Sequence, residues 1–391
     1  MDREEYLMES LLHLKRGKER KILNLYPWVY RDEVRKIEPA GPVADLHSHE
    51  GKFVARGLYS RGARIVWRFL SFGRDDIDVR FVSARISEAL GLRRGINSSA
   101  FRVVFSESDF LGGLVIDRYN DGVVMQVRSR GMEEIKDTVI DAIDSTLKPS
   151  FIYERSDMEG RRDEGLEPFK GPVRGEVPER LIITENGVRF YVDVRRGLKT
   201  GFYLDQRRSR EYVAGIVEEG YEVLDLFSYT GGFSVYAALR GAKVLAVDTK
   251  EEVLTLAREN AALNGVRIDT LVYDAFKFLE EDGGTYDLIV ADPPAISKRK
   301  HERRKLLGAV WKLTYNALPH LKVPGHLYIC TCSYQAGLDE MVRSVRAAAI
   351  ARRTPVHVRA LNIQPEDHPF LPQFPESLYL KCLHVVKVRL V

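Results

Sequence analysis

Acidic side chains recur just past the predicted strands in the C-terminal half of this 391-residue sequence. Asp248, Asp274 and Asp292 each follow a short apolar run that is typical of a buried strand. An acidic side chain at such a point can accept hydrogen bonds from ribose hydroxyls, although Asp248 and Asp274 taken singly would also suit helix N-caps. Three of them after three successive strands suit a nucleoside with a cationic, non-phosphate tail. S-adenosylmethionine is such a ligand, and it needs no pyrophosphate cradle.

The turn after the first of these strands, "DLFSYTGGFS", supplies the other candidates for this ligand. Gly231 and Gly232 open a helix and let a ligand approach the backbone closely, although "TGG" alone would also suit an ordinary turn. The spacing is not G-x-G-x-x-G, which disfavours a dinucleotide. The predicted cofactor-binding residues are Asp225, Phe227, Ser228, Gly231, Gly232, Asp248, Asp274 and Asp292.

Two more motifs offer chemistry at the ends of the fourth and fifth strands. Asp292 precedes a Pro-Pro pair, which fixes the backbone and stops the strand, so its carboxylate is held in a rigid segment or in a helix-entry turn. Cys330 and Cys332, in "HLYICTCSYQ", are two of only three cysteines, and their spacing points both to one face of a strand. Cys330 is deeper and is predicted to be a core residue, whereas Cys332 sits at the strand end. No second cysteine or Cys/His pair completes a tetrahedral set, so no metal is predicted.

The elements that must position these residues alternate between strand and helix from the hairpin "LIITENGVRFYVDV" onward. This alternation predicts an α/β fold with a doubly wound, Rossmann-like sheet, whose ligands bind at the carboxyl ends of the strands. We predict three domains: a small, mostly β domain at 1–73, a middle α+β domain at 74–190 and the doubly wound domain at 191–391. Within them, "LLHLKRGKERKIL" is predicted to be helical, and the Gly- and Arg-rich segment 155–174 is predicted to be a long loop.

Composition narrows the class of protein. The net charge of +4 resides in residues 1–73, which hold 14 Lys and Arg against 10 Asp and Glu, and this excess fits either a nucleic-acid partner or an ordinary solvated surface. Three cysteines are too few for a disulfide framework, which indicates an intracellular, cytoplasmic protein. The acidic N-terminus is not a secretory signal, and no apolar run is long enough for a membrane span. The sequence leaves open whether the protein forms a homodimer.

Taken together, these motifs resemble class I methyltransferases that modify large-subunit ribosomal RNA. The resemblance covers nearly the whole chain, and the most similar group makes 5-methylcytosine and carries an N-terminal PUA domain. The "VLDLFSYTGGFSVYAA" block, "DPP", "TCS" and "DHPFLPQFPESLYLK" resemble the catalytic domain, and "GKFVARGLYSRGARIVWRFLSF" resembles the PUA domain, a small β-barrel. The resemblance implies a seven-stranded methyltransferase sheet, S-adenosylmethionine as cofactor, and an RNA partner, 23S or other large-subunit rRNA.

The resemblance also implies a catalytic role for Cys332 and Asp292. A thiolate that adds to carbon 6 of cytosine turns carbon 5 into a nucleophile for the methyl group. Cys332 resembles the family's nucleophile, and Asp292 is expected beside it, where it would polarise N3 or O2 of the base. Related enzymes carry a second cysteine just after the Pro of the fourth-strand motif, whereas this chain has Ala295, so the base that removes the carbon-5 proton has no candidate.

Other functions remain compatible with the motifs. A methyltransferase for another base, such as guanine N7, would not need Cys332. A ribosome-assembly protein that binds RNA would not need the cofactor. Tyr59, Trp67 and Phe69 are either stacking groups for bases or, for at least two of the three, core residues of the barrel.

Overall fold

The computed structural model describes residues 10–281, 284–294 and 303–389. The described chain forms two compact units. The first is made of the described part of Met1–Ile183 with Val192–Leu204 and Glu366–Ser377, and the second is made of Thr184–Tyr191, Asp205–Pro365 and the described part of Leu378–Val391. The segments 192–204 and 366–377 belong to the unit that holds the N-terminal sheets, and the division into three domains stays a prediction.

A six-stranded sheet with the order β2-β6-β5-β4-β1-β3 occupies the N-terminal part of the first unit. Its strands are β1 (Ser10–Leu14), β2 (Trp28–Tyr30), β3 (Val34–Glu38), β4 (Val43–His47), β5 (Phe53–Tyr59) and β6 (Ile65–Ser71). Tyr59, Trp67 and Phe69 all lie in its buried core, so the interpretation of these rings as barrel core is confirmed.

The predicted helix over residues 11–23 is wrong for its first half. Residues Ser10–Leu14 form β1, and only Glu19–Leu23 form a helix, α1. Leu12 and Leu14 are both buried, and this spacing of two matches the period of a strand. Gly17, with φ of +78°, turns the chain before α1 begins.

A five-stranded sheet with the order β11-β10-β9-β8-β7 forms the rest of the first unit. Its strands are β7 (Ala100–Phe105), β8 (Leu114–Tyr119), β9 (Gly122–Val127), β10 (Ile152–Ser156) and β11 (Phe169–Arg174), and its helices are α2 (Val79–Gly91), α3 (Arg130–Glu134) and α4 (Lys136–Leu147). The predicted loop over 155–174 is too long: its two ends pair as β10 and β11, and residues 157–168 form the connection between them. Arg161 is buried there, where its guanidinium donates to the Val127 carbonyl and to Glu133, and these bonds satisfy a polar segment inside the fold.

The hairpin predicted from "LIITENGVRFYVDV" is confirmed. It consists of β12 (Leu181–Glu185) and β13 (Val188–Val192). Asn186 and Gly187 have φ of +48° and +82°, as a type I′ turn requires.

The second unit contains a seven-stranded sheet with the order β16-β15-β14-β17-β18-β20-β19. Its strands are β14 (Glu222–Leu226), β15 (Lys243–Asp248), β16 (Asp269–Val272), β17 (Tyr286–Ala291), β18 (Leu321–Cys332), β19 (Val356–Ile363) and β20 (Leu380–Lys387). Its helices are α5 (Arg207–Ile216), α6 (Gly232–Ala238), α7 (Glu251–Leu263), α8 (Ala275–Glu281), α9 (Arg303–Ala317) and α10 (Leu338–Ala351). The predicted doubly wound sheet is confirmed. β20 runs antiparallel to the other six strands of this sheet.

The strand order of this sheet fixes where a ligand can bind. Successive strands run outward from β14 in one direction and from β17 in the other, so the order reverses between these two central strands. A crevice opens at the carboxyl ends of the strands at such a reversal. In the described residues, no helix combines the length and the apolar character that crossing a membrane requires.

Candidate active site

The turn after β14 has an unusual backbone. Phe227 and Tyr229 have φ of +60° and +50°, a left-handed conformation that aromatic residues rarely adopt, and Gly231 follows with φ of +76°. Three left-handed residues at alternate positions coil the turn tightly before α6. Such strain persists only where the surroundings impose it, and it concentrates at functional sites.

Neighbouring elements hold this turn in place. The backbone N–H of Tyr229 donates to Oδ2 of Asp248, at the end of β15, over 3.0 Å. Nδ2 of Asn260, on α7, donates to the Thr230 carbonyl over 2.9 Å. A Cβ atom on Gly231 would lie 2.8 Å from Cβ of Ala257, so only glycine fits between the turn and α7. The turn is therefore clamped from the β15–α7 side.

Asp225 lies beneath the turn and is almost fully buried. Its Oδ2 atom accepts two hydrogen bonds from Ser234, from the backbone N–H over 3.1 Å and from the hydroxyl over 2.6 Å. The pKa of Asp225 is raised to about 7, chiefly by burial and also by the negative charges of Asp292 and Asp248, while the Ser234 hydrogen bonds act against this rise. Three carboxylates thus share one region at the carboxyl ends of β14, β15 and β17.

Buried polar atoms without partners mark a place for a ligand. Among the described residues, Oδ1 of Asp225, Oγ of Ser228 and Oγ1 of Thr230 are buried and have no hydrogen-bond partner. Buried polar atoms are normally paired, so three unpartnered oxygens beside a strained turn fit a polar ligand. The surrounding carboxylates favour a cation. These residues fit S-adenosylmethionine, which brings hydroxyl groups, an amino group and a positively charged sulfonium.

Two of the predicted cofactor residues differ in their surroundings. Asp248 is partly exposed and fixes the turn through Tyr229, as described above. Asp274 is exposed, and its Oδ1 atom accepts a hydrogen bond from the backbone N–H of Lys277 over 2.9 Å. This bond caps α8, which is the alternative that the sequence offered for Asp274. Binding of the cofactor by either residue stays a prediction.

Asp292 and Cys332 lie at the same edge of the sheet, on adjacent strands. The parallel register pairs Ala291 of β17 with Ile329 of β18, so Asp292 is nearly level with Cys330, and Cys332 lies two residues farther along. Both side chains are partly exposed. A base that entered from this edge would meet the Cys332 sulfur at the end of β18. The catalytic roles of Asp292 and Cys332 stay predictions, and Ala295 lies outside the described residues.

The bonding state of Cys330 differs from the sequence-based expectation. Its burial in the core is confirmed, but Cys330 forms a disulfide with Cys382 of β20, with Cα atoms 4.0 Å apart. The antiparallel register places these two residues directly opposite each other, and the sequence gives no sign of that register. Cys332 is outside this disulfide, so it keeps its thiol.

Sequence reasoning missed Lys381, which lies on β20 beside the end of β18. Its ammonium group donates to the carbonyl oxygens of Ser333 and Ala336, over 2.7 and 2.8 Å, in the turn that follows Cys332. The signal was present in "SLYLKC", where a lysine interrupts an apolar strand. A charged residue inside an apolar run predicts an edge strand or an exposed position, unless the order of the strands is known.

Comparison with known proteins identifies the class. Residues 167–375 match the family described as S-adenosylmethionine-dependent methyltransferase, and residues 12–72 match the PUA-like domain family. The chain belongs to the S-adenosylmethionine-dependent methyltransferase family, with a PUA-like domain at its N-terminal side, and its cofactor is S-adenosylmethionine.

Relatives with a stated activity cover almost the whole chain. A protein of Klebsiella pneumoniae named ribosomal RNA large subunit methyltransferase I is 36% identical over 95% of this chain and 96% of its own length. The protein of that name from Escherichia coli is 36% identical over 96% of this chain and 98% of its own length. The protein of that name from Shewanella denitrificans is 35% identical over 96% of this chain and 99% of its own length.

Solved structures agree on the fold. A putative S-adenosylmethionine-dependent methyltransferase from Streptococcus mutans has a TM-score of 0.82 at 24% identity, and the match covers 97% of this chain and all of that chain. A putative methyltransferase complexed with S-adenosylhomocysteine has a TM-score of 0.81 at 22% identity, over 96% of this chain and 99% of that chain. At such identities the likeness concerns the fold.

Proposed function

We propose that this protein methylates carbon 5 of a cytosine in large-subunit ribosomal RNA, with Cys332 as the covalent nucleophile. The observation that carries the proposal is the position of Cys332: a partly exposed thiol at the carboxyl end of β18, one strand away from the carboxylate of Asp292. The relatives named for large-subunit rRNA support RNA as the substrate.

The residues around the β14 turn would hold the cofactor. Asp225, Ser228 and Thr230 offer the unpartnered buried oxygens, and the strained backbone of the turn brings them together. Asp248 fixes that backbone and adds negative charge. Bound S-adenosylmethionine supplies an electrophilic methyl group and a positive charge that these carboxylates stabilise.

Cys332 makes and breaks a covalent bond to the base. Its thiolate sulfur adds to carbon 6 of the cytosine, and the electron pair of the carbon 5–carbon 6 bond becomes available at carbon 5. After carbon 5 has gained its methyl group, a base removes the carbon-5 proton, the double bond re-forms and the sulfur leaves as thiolate. Asp292, in its rigid segment, would donate or share a proton at N3 or O2 while the sulfur adds.

The first unit would bind the RNA. Its PUA-like sheet presents a recess lined by three cationic residues, Lys15, Arg31 and Arg64, by two acidic residues, Asp32 and Glu33, and by Tyr30 and Val34. Cationic side chains bind phosphates and an aromatic ring can stack on a base, which suits an unpaired segment of RNA. The target base must leave any stack to reach a pocket of this kind.

Nucleoside mass spectrometry tests the proposal. Ribosomal RNA from a strain that lacks the protein is incubated with purified protein and S-adenosylmethionine, and the nucleosides are analysed. We expect 5-methylcytidine to appear with the wild-type protein and to be lost with Cys332→Ala. The matched control is Thr331→Val, which alters the neighbouring residue on the opposite face of β18 and should keep the activity.

The outcomes separate the candidate functions. 5-Methylcytidine at the normal rate with Cys332→Ala would contradict the nucleophile assignment. Another methylated nucleoside, such as 7-methylguanosine, would keep the fold and cofactor and remove cytosine from the proposal. A protein that binds rRNA with no transfer of methyl groups to it would support a role in ribosome assembly instead.

A further inference from the structure

Tyr379 and Asp205 form a hydrogen-bonded pair in the second unit. The phenol hydroxyl of Tyr379 donates to Oδ2 of Asp205 over 2.6 Å, a length that is typical of a hydroxyl bonded to an ionised carboxylate. Only 2% of the Asp205 surface is exposed, whereas Tyr379 is partly exposed. The hydroxyl of Tyr379 therefore links an accessible side chain to a buried carboxylate.

The register of β20 places Tyr379 beside the carboxyl end of β18. Cys332 pairs with Leu380, the first residue of β20, and Tyr379 comes directly before Leu380. The backbone N–H groups of Tyr379 and Leu380 both donate to Oε1 of Gln364, over 3.0 and 3.1 Å. These two bonds fix the backbone that carries the tyrosine, next to the strand end that carries the cysteine.

Contacts of α5 show on which face of the sheet the pair lies. Asp205 is two residues before α5, and Oγ of Ser209, in the first turn of this helix, lies 3.7 Å from the sulfur of Cys382. Cys382 is bonded to Cys330, and Cys332 points to the same face because it lies two residues farther along β18. The start of α5 thus brings the Asp205 carboxylate to the face on which the Cys332 side chain lies.

Methylation of carbon 5 through a sulfur adduct leaves a proton that a base must remove. In the adduct, carbon 6 carries the sulfur, and carbon 5 carries both the new methyl group and its original proton. When the sulfur and the methyl group add to opposite faces of the ring, this proton remains on the face that carries the sulfur. The base must then lie on the Cys332 side of the ring. The pair meets this requirement, because β20 flanks β18 on the side opposite β17 and the turn after β14.

We propose that Tyr379 and Asp205 take up the carbon-5 proton. The inference rests on the proposed function, because the adduct with Cys332 creates the proton to be removed. The carbon 5–hydrogen bond breaks, its proton passes to the phenol oxygen of Tyr379, and the phenol proton passes to Oδ2 of Asp205. The electron pair of the broken bond re-forms the carbon 5–carbon 6 double bond, and the sulfur leaves as thiolate. One negative charge thus moves from the carboxylate to the sulfur. Asp205 acts through Tyr379, which it also orients.

The test detects the covalent protein–RNA adduct that the wild type resolves. Ribosomal RNA from a strain that lacks the protein is incubated with S-adenosylmethionine labelled in its methyl group and with wild type, Tyr379→Phe or Asp205→Asn. After ribonuclease digestion, denaturing gel electrophoresis shows whether label stays on the protein. Both variants should accumulate labelled protein and release 5-methylcytidine about a hundredfold more slowly, because the methyl group is transferred and proton removal is blocked.

Both substitutions are conservative, and the chain offers a matched control. Tyr379→Phe removes only the hydroxyl, and Asp205→Asn keeps an acceptor for that hydroxyl but cannot take up a proton. The control is Tyr212→Phe, because the Tyr212 hydroxyl lies 2.9 Å from Nδ1 of His384, which pairs with Tyr328, four residues before Cys332. The control should release 5-methylcytidine at the wild-type rate and carry no label. Circular dichroism verifies folding, and either folded variant of the pair is a sufficient test.

The outcomes separate this inference from the proposed function. Adding Cys332→Ala to Tyr379→Phe should abolish the labelled adduct, since the adduct forms through the sulfur. Normal release of 5-methylcytidine by a folded variant of the pair would overturn the inference and leave the proposed function intact. Slow release without labelled protein would also overturn it, because the pair would then support methyl transfer itself. If the wild type forms no 5-methylcytidine, the proposed function fails, and the inference fails with it.

Discussion

Asp225→Asn should stabilise the cofactor-free protein at alkaline pH, because it removes a buried charge. The pKa of Asp225 is raised to about 7 in the folded state, mainly by burial, against a value near 3.8 for an unperturbed Asp. Between these two values the unfolded chain has lost the proton and the folded chain retains it, so the contribution of Asp225 to stability falls as the pH rises. Each pKa unit is worth about 1.4 kcal/mol, and the full penalty above pH 7 is roughly 4 kcal/mol.

The pH window makes the magnitude measurable. At pH 5 the wild type already carries about 1.6 kcal/mol of this penalty, and at pH 8 it carries nearly all of it. The free energy of unfolding of Asp225→Asn relative to the wild type should therefore increase by roughly 2–3 kcal/mol from pH 5 to pH 8. The asparagine oxygen can still accept the Ser234 hydrogen bonds, so the local structure is kept.

Urea unfolding followed by circular dichroism at both pH values measures this difference. Asp274→Asn is the matched control, since it makes the same substitution at an exposed residue and asparagine is an equally good N-cap. S-adenosylmethionine should bind more weakly to Asp225→Asn than to the wild type. The reasoning is refuted if the wild type and Asp225→Asn keep a constant difference across this range, or if the wild type gains stability relative to the variant as the pH rises.

Two further changes test other parts of the second unit. Gly231→Ala should destabilise the protein by about 2–3 kcal/mol and weaken cofactor binding in calorimetry, because the new methyl group would clash with Ala257. Gly265→Ala is the control, since Gly265 has a similar positive φ but open space around it. This control should lower the free energy of unfolding by only about 1 kcal/mol and leave cofactor binding intact. Equal losses in the two alanine variants would show that the contact with α7 is unimportant. The pKa of His384 is lowered to about 4, chiefly by burial and also by the charges of His326 and Arg359. The wild type should therefore lose up to about 3 kcal/mol as the pH falls from 6.5 to 4, and His384→Gln should reduce this loss in thermal melts at pH 4.5 and 7.5. The same acid sensitivity in His384→Gln would assign it to other groups.

The sequence was sufficient for the sheet and for the glycine turn after β14, because both depend on local patterns. Apolar runs followed by helices define the doubly wound fold, and the "DLFSYTGGFS" turn shows its glycines directly. The orphaned oxygens of Ser228 and Thr230 belong to this turn, although only Ser228 was predicted. Thr230 was missed because its hydroxyl becomes buried only when the left-handed backbone coils.

Features that depend on pairing between distant strands were not accessible. The disulfide of Cys330 joins residues 52 positions apart, and Lys381 approaches the end of β18 only because β20 inserts antiparallel beside it. The polar character of segment 155–174 favours a loop, but its two ends pair as β10 and β11, and buried hydrogen bonds such as those of Arg161 hold the turn between them. A charged residue can therefore be buried where the fold supplies hydrogen-bond partners for its side chain.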